Sequence, residues 1–370
     1  MTAALDGIER IVALRANALG DFLLALPGLE AIKDAHPGAT MTLLGTAWHA
    51  EFLTGRPGPV DEVVVLPPIT GVSTMEPGHR APRELFERLR ARRFDLAVQI
   101  HGGGRHSNPF VRGLGAGVTA GLRAPDAEPL DRWVPYVPYQ HETLRYLEVA
   151  ALVGGVPGRL EPRIALTGAD AAEVVAALGE LPVGLVALHP GAMDPRRQWP
   201  PEFFAAVGDR LGRPIVVTGT EGERKLVTKV TEAMRRPAVP VVGALGIGGL
   251  AALYQRCDLV IANDTGPRHL AAAVGTATVG IYWCGNLVNA GPLTRSRHRP
   301  LVSWTAACPV CGASGLDPAV GRCGHDPSWV ADIAVEAVLE QAVDLLEELD
   351  ARRPAPSRRC GPQVVLRDAT

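Results

Sequence analysis

The sequence predicts an α/β protein made of two Rossmann-like, doubly wound parallel-sheet domains that face a central cleft. Three observations carry the prediction. The chain has 370 residues, more than a single hydrophobic core accommodates. Short apolar runs of strand type alternate with helical segments along both halves, and strands separated by helices form parallel sheets covered on both faces. Between Gly154 and Thr167 lies Gly-Gly-Val-Pro-Gly-Arg-Leu-Glu-Pro-Arg, with glycine and proline concentrated where neither helix nor strand tolerates them. The expected divisions are residues 1–160, residues 161–350 and a loose tail over 351–370 that is rich in Arg and Pro.

In the first half Ile11 to Arg15 reads as a buried strand and Ala16 to Gly20 as a loop, with Asp21 capping a helix from Phe22 toward Asp34. Met41 to Leu44 and Val63 to Leu66 are strands, Arg83 to Arg93 is a helix, and Asp95 to Ile100 is a strand that ends in His101-Gly-Gly-Gly. A helix near Asn108 to Leu114, a strand near Val118 to Leu122 and a helix over Glu142 to Val153 follow. In the second half the strands are Leu185 to Leu188, Ile215 to Thr218, Val241 to Val242, Leu259 to Ile261 and Thr278 to Tyr282, the last clear one. Helices are expected over Pro201 to Leu211, Glu221 to Met234, Leu250 to Gln255, His269 to Val274 and, amphipathic, Asp332 to Leu349.

A hydrophobic content of 47% with 21% charged residues is that of a globular protein, and a net charge of −2 advertises no nucleic-acid partner. The first residues hold Asp6 and Glu9 and no long apolar run, so no secretory signal is read there, and no stretch reaches the roughly 18 to 20 apolar residues of a membrane span. The expected location is the cytoplasm, with peripheral contact at the inner face of the membrane left open. Six cysteines in so long a chain are thiols or metal ligands rather than a disulfide scaffold.

The most informative stretch is Asn263-Asp264-Thr265-Gly266-Pro267-Arg268-His269, a polar turn between an apolar strand and a small-residue helix. The first amides of a helix lack intrahelical acceptors and carry about half a positive charge, so a diphosphate gains hydrogen bonds and field together there. Thr265 adds a hydroxyl and Gly266 removes the Cβ that would hold a ligand off. The same turn also fits an ordinary loop with Asp264 as helix cap.

In a parallel sheet the loops after successive strands emerge at one edge, so His189 to Trp199, Thr218 to Glu223, Asn263 to His269 and Trp283 to Asn289 converge. Arg196 and Arg197 stand near a helix start, as a fork onto a diphosphate or as solvated surface. Asp21 reads either as a helix cap or as a base that takes a proton from a nucleophilic hydroxyl. The loop His101 to His106 faces the same cleft, as a sugar-binding loop or a turn. No G-x-G-x-x-G follows a strand, no G-x-x-x-x-G-K-[ST] occurs and no Asp-x-Asp exists, which argues against NAD dehydrogenases, P-loop NTPases and a carboxylate-held Mg²⁺.

Cys308-Pro-Val-Cys311, then Cys323-Gly-His325 after eleven intervening residues, offers three thiolates and an imidazole to a structural Zn²⁺. The spacing is not a standard zinc signature, and free thiols or a reactive thiol are the other readings.

Taken in order, Leu14-Arg15 with Leu19-Gly20-Asp21, His189-Pro190-Gly191-Ala192 with Arg197-x-Trp199-Pro200, Thr218-Gly219 with Glu223, and Asp264-Thr265-Gly266 with His269 resemble glycosyltransferase family 9, the ADP-heptose:lipopolysaccharide heptosyltransferases. The resemblance covers roughly Arg10 to Trp283, and Asp-Thr-Gly-x-x-His is its most specific part. It implies the GT-B architecture, with the acceptor on the first domain and the nucleotide-sugar donor on the second. It implies Asp21 as catalytic base, and Arg197 where the family usually has a lysine on the donor phosphates. It implies Glu223 at the donor ribose, and Thr218, Gly219, Asp264, Thr265, Gly266 and His269 in the remainder of the donor site. Arg15 and His101 are the acceptor-binding candidates. The reaction implied is inverting transfer of a heptose-like sugar from an ADP-linked donor to a glycan or glycolipid hydroxyl, with no cofactor required. A GT-B nucleotide-sugar epimerase and a non-catalytic nucleotide-sugar-binding module are the alternatives.

Overall fold

The run Ile-Val-Ala-Leu lacks any side chain that asks for water, and in the computed structural model, which describes residues 5–317 and 319–352, it forms the buried centre of a sheet. The first half consists of β1 (Arg10–Leu14), α1 (Leu19–Ala35), β2 (Thr40–Gly45), α2 (Ala47–Leu53), β3 (Glu62–Val65), α3 (Arg83–Arg90), β4 (Leu96–Gln99), α4 (Ser107–Arg112), β5 (Val118–Arg123), β6 (Arg132–Pro135) and α5 (Glu142–Leu152). The second consists of α6 (Gly168–Leu178), β7 (Val186–His189), α7 (Pro201–Leu211), β8 (Ile215–Gly219), α8 (Arg224–Ala233), β9 (Ala238–Val242), α9 (Ile247–Arg256), β10 (Leu259–Asn263), α10 (Gly266–Ala273), β11 (Ala277–Trp283), α11 (Cys284–Ala290), β12 (His298–Ser303) and α12 (Val335–Arg352).

These strands make two six-stranded, wholly parallel sheets, ordered β3-β2-β1-β4-β5-β6 and β12-β11-β10-β7-β8-β9. Read from β9, the second order repeats the first, so each half is doubly wound with its switch point between its first and fourth strands, where open α/β sheets bind ligands. The two-sheet α/β expectation therefore holds. The halves are not separate bodies: Leu270 and Ala273 of α10 and Ala251 of α9 join one core with Phe22, Leu26 and Leu29 of α1.

Two expectations need correction. Asp21 is not the helix cap, because α1 begins at Leu19 with Ala18 as N-cap and Asp21 in its first turn. Thr278 to Tyr282 is not the last strand, since β12 pairs beyond it. In the closing segment the helix takes in Ala351 and Arg352, and the remainder of the expected tail lies outside the described residues.

Candidate active site

Loops from both switch points meet in one cleft. On the first sheet, Arg15 leaves β1 and is buried; its Nη1 donates to the Ile100 carbonyl at 2.7 Å and its Nε and Nη2 to the Asp21 carbonyl at 3.1 and 2.9 Å. Nη2 also donates to Glu142 Oε2 at 3.0 Å, and Tyr146 Oη donates to the same oxygen at 2.8 Å beneath the guanidinium. Arg15, expected at the acceptor, is not among the residues lining the cleft and braces the start of α1.

The Asp21 carboxylate accepts from the Ala18 amide and the Asn17 side chain and lies 3.8 Å from Arg15 Nη2. Partial burial raises its pKa above the ordinary aspartate value; Arg15 opposes this and the nearby Glu142 carboxylate adds to it. A raised pKa makes Asp21 a stronger proton acceptor in its ionised form. His101 is held differently: the Ala16 amide donates to its Nδ1 at 3.4 Å, and burial with the neighbouring Arg15 and His49 lowers its pKa to about 3. Its neutral ring therefore carries the proton on Nε2, where it is a donor and not a base.

On the second sheet, β10 delivers Asp264 and Thr265, and α10 opens at Gly266 with Thr265 as N-cap in an extended conformation. Pro267 has no N–H, so the Gly266 amide and the Thr265 hydroxyl are the donors at this end. Asp264 is 3% exposed and engaged with protein: Asn286 Nδ2 donates to its Oδ2 at 2.6 Å and Arg197 Nη1 at 3.4 Å, and His269 Nε2 stands 3.5 Å from Oδ1. Burial would raise its pKa, but His269, Arg197 and Arg268 outweigh burial and hold it below the usual range. Burial and Arg268 lower His269 to about 4. Arg268 Nη2 donates to its Nδ1 at 2.6 Å, so the neutral ring directs Nε2–H at Asp264. The carboxylate thus fixes Arg197 and Asn286 toward the helix start.

The structure brings Asp21, Arg197, Asp264, Thr265, Gly266 and His269 around one cleft of about 350 Å³. The starts of α1 and α10 touch at its floor: a Cβ on Gly266 would lie 3.1 Å from Leu19 Cβ, and one on Gly20 3.5 Å from Gly266 Cα. Glu142, Asn286 and Asn289 also line it; the two asparagines belong to the segment Trp283 to Asn289 expected there, which is a helix rather than a loop, whereas Glu142 at the start of α5 was not singled out.

Thr218 and Glu223 are not among the side chains lining that cleft. The Thr218 hydroxyl is buried between His189 Nδ1 at 3.1 Å and Tyr254 Oη at 2.8 Å. Glu223 Oε2 accepts from the Thr220 amide and hydroxyl, and Oε1 lies over Gly191, where any Cβ would meet it at 1.9 Å. Gly219 lines a neighbouring apolar cavity of about 380 Å³ with Leu19, Val241, Leu245, Ile247 and Pro267.

Away from the cleft floor, one ligand atom from each of Cys308, Cys311, Cys323 and His325 falls within 4.8 Å of every other. Sulfurs held tetrahedrally about 2.3 Å from one ion are about 3.8 Å apart, so the set is near ligation geometry. The Cys308 turn is preformed: its carbonyl accepts from Gly312, a residue at φ +72° where a side chain would be strained, and its amide donates to Ala313. Desolvation raises the Cys308 thiol, but the Cys311 and Val310 amides outweigh it and bring the pKa down to about 7.

A family model for glycosyltransferase family 9 (heptosyltransferase) matches residues 82–308. Lipooligosaccharide heptosyltransferase 2 of Campylobacter jejuni is 26% identical over 170 residues, which span 44% of this chain and 51% of that protein. Lipopolysaccharide heptosyltransferase 2 of Salmonella typhimurium is 23% identical over 361 residues, 92% of this chain and 99% of that one. Among solved structures, the family 9 glycosyl transferase of Veillonella parvula superposes with a TM-score of 0.75 at 22% identity, over 94% of this chain and all (100%) of that one. The Escherichia coli heptosyltransferase WaaC with ADP does so with a TM-score of 0.65 at 17% identity, over 91% and 99%. These likenesses establish the GT-B fold.

Proposed function

Because the chain belongs to glycosyltransferase family 9, we propose that it transfers a heptose-like sugar, with inversion and without a catalytic metal, from an ADP-linked donor to a hydroxyl of a glycan or glycolipid. The observation that carries the reading is the meeting of Asp21 with Arg197 and the start of α10 in one cleft. Asp21 accepts the proton of the acceptor hydroxyl, whose oxygen attacks the anomeric carbon. The bond from that carbon to the diphosphate breaks, and its electron pair leaves on the phosphate oxygen. Arg197 and the Gly266 amide receive that charge; one such preorganised donor is worth about 2.7 to 4 kcal/mol of barrier. The apolar cavity at Leu19, Val241 and Ile247 takes the base. Gly219 and Glu223 flank the ribose, and Thr218 supports them from behind. Residues 1–160 carry the acceptor, residues 161–350 the donor.

Among the described residues no helix is long and apolar enough to cross a membrane, and the reading has the protein meet its acceptor from the cytoplasmic side. The test is transfer of labelled heptose from ADP-heptose to a lipopolysaccharide core acceptor. Sugar in the product with inverted anomeric configuration is expected; conversion of the nucleotide sugar without acceptor would favour an epimerase instead.

We further propose that the Cys308, Cys311, Cys323 and His325 set holds a structural zinc. Metal analysis of purified protein is expected to give one zinc per chain, with the three thiols protected from titration until a chelator is added; freely titrating thiols without zinc or iron would refute it.

A further inference from the structure

Two more cavities continue from the reactive cleft. One, of about 340 Å³, shares Arg197 and Asn286 with the cleft and adds Arg196, Trp283 and Trp329. The next, of about 370 Å³, shares Trp329 and Gly315 with it and Asn289 with the cleft. This second cavity lies between Tyr136 and Tyr139 of the first half and the cysteine segment of the second, Cys323 included. The two halves are joined beside it, where Tyr139 Oη donates to the Leu316 carbonyl. None of the residues lining the apolar cavity assigned to the base takes part. The base therefore leaves the reactive cleft by one route and this annex by another.

Two of the side chains that line the annex carry a buried polar atom without a partner. Trp329 is 4% exposed, yet its Nε1–H finds no partner among the described residues, and neither does Asn289 Oδ1. A buried donor left unpaired is costly in a folded protein, and both orphan atoms belong to side chains lining the same cavity. The indole is held firmly: its amide donates to the Arg196 carbonyl at 2.8 Å, its ring meets Trp283 edge-on at 5.5 Å, and Arg196 lies 5.1 Å over it. Gly315 fits flush against both rings, since a Cβ there would be 2.2 Å from Trp329 and 3.0 Å from Trp283.

Charge at the rim is balanced. Asp194 accepts from Arg196 at 2.6 Å and stands 3.5 Å from Arg322, which also pairs with Asp326. No uncompensated cation is left to call for phosphate or carboxylate. Aromatic walls from Tyr136, Tyr139 and Trp329, with Asn289 and Ser314 between them and balanced charge, are the chemistry that holds a neutral carbohydrate.

We propose that this annex is an acceptor subsite for an uncharged sugar ring of the acceptor glycan, adjoining the unit that receives the transferred sugar. The cysteine segment of the second half then adds a wall to the acceptor contacts of residues 1–160, opposite Tyr136 and Tyr139. The proposal rests on the transfer reading above and adds the place and kind of the acceptor's second contact.

The experiment is calorimetric titration of the full-length, metal-loaded protein with ADP and, separately, with a deacylated lipopolysaccharide core oligosaccharide. Val320→Trp, at a position 41% exposed on the rim, fills the cavity without disturbing the core. Trp329→Phe keeps a ring and removes the orphan N–H. Oligosaccharide affinity is expected to fall at least about tenfold in V320W and about three- to tenfold in W329F, the range for one lost hydrogen bond. ADP affinity should stay within about twofold of the parent in both variants. Unchanged oligosaccharide binding in V320W overturns the subsite, and so does an equal loss of ADP affinity, which would give the annex to the donor. If the parent protein binds ADP but not the oligosaccharide, the subsite fails and the donor reading stands; if it does not bind ADP, the transfer reading itself fails.

Discussion

At the scale of single residues, the position of Asp21 inside the first turn of α1 alters what a substitution there reports. Its carboxylate reaches back to the Ala18 amide, a contact that an asparagine oxygen also makes. Asp21→Asn is therefore expected to keep its melting temperature and its ADP affinity while transferring sugar at least about a hundredfold more slowly, as measured by initial rates with saturating donor. Glu142 raises the Asp21 pKa through like charge. Removing that charge makes Asp21 easier to ionise, so Glu142→Gln is expected to move the acidic limb of the rate profile to lower pH. A limb that stays in place would show that another group titrates there. The place of Asp21 at the cleft was legible in the sequence, because a loop that follows a parallel strand emerges at the sheet edge where the cleft forms. Glu142 was not, because its meeting with Arg15 across 127 positions of sequence depends on the sheet.

At the scale of elements, the signals that read well were buried central strands and the capped, periodic helices between them. Pro201–Leu211 was found to the residue, since a proline start and a Gly212 stop bracket it. α2 and α6 were also missed, the latter despite its Thr167–Asp170 capping box, and three other elements that escaped have weak patterns of their own. β6 and β12 are edge strands that carry Pro135 and Pro300, which a sheet tolerates only at its rim and which read locally as breakers. α11 is built from Cys-Gly-Asn-Leu-Val-Asn-Ala, poor in helix formers, and tertiary contacts hold it where Asn286 can reach Asp264. On the proposed function, donor binding turns on the start of α10. Arg197→Ala is expected to weaken ADP by about 1.5 to 3 kcal/mol, the loss of one charge-assisted contact, in a titration against the parent protein. Equal affinity would mean that Arg197 serves only Asp264.

At the scale of the whole molecule, several imidazoles are buried neutral on both sides of the cleft. Burial and neighbouring arginines lower His49 and His101 to about 3, and His269 and His298 to about 4. Between those values and the unfolded value of 6.5 the unfolded chain binds more protons than the native one, so stability rises with pH through that window and is lost as the pH falls. Each such group is expected to cost about 2 kcal/mol on going from pH 7 to pH 5. Urea unfolding at the two pH values measures the difference, and equal midpoints would mean that these rings accept protons in place. Because α9 and α10 share a core with α1, that loss should appear as one transition and not as the separate melting of two halves.

The abutting glycines at the cleft floor set a length scale for the chemistry. With only hydrogen on Gly20 and Gly266, the starts of α1 and α10 lie side by side: a Cβ on Gly266 would come within 3.3 Å of the Gly20 nitrogen. On the proposed mechanism this contact fixes the spacing between the proton acceptor on α1 and the anion cradle on α10. On that mechanism any larger residue at either position would act as a shim, lengthening the reach between nucleophile and leaving group while every reacting side chain stayed intact.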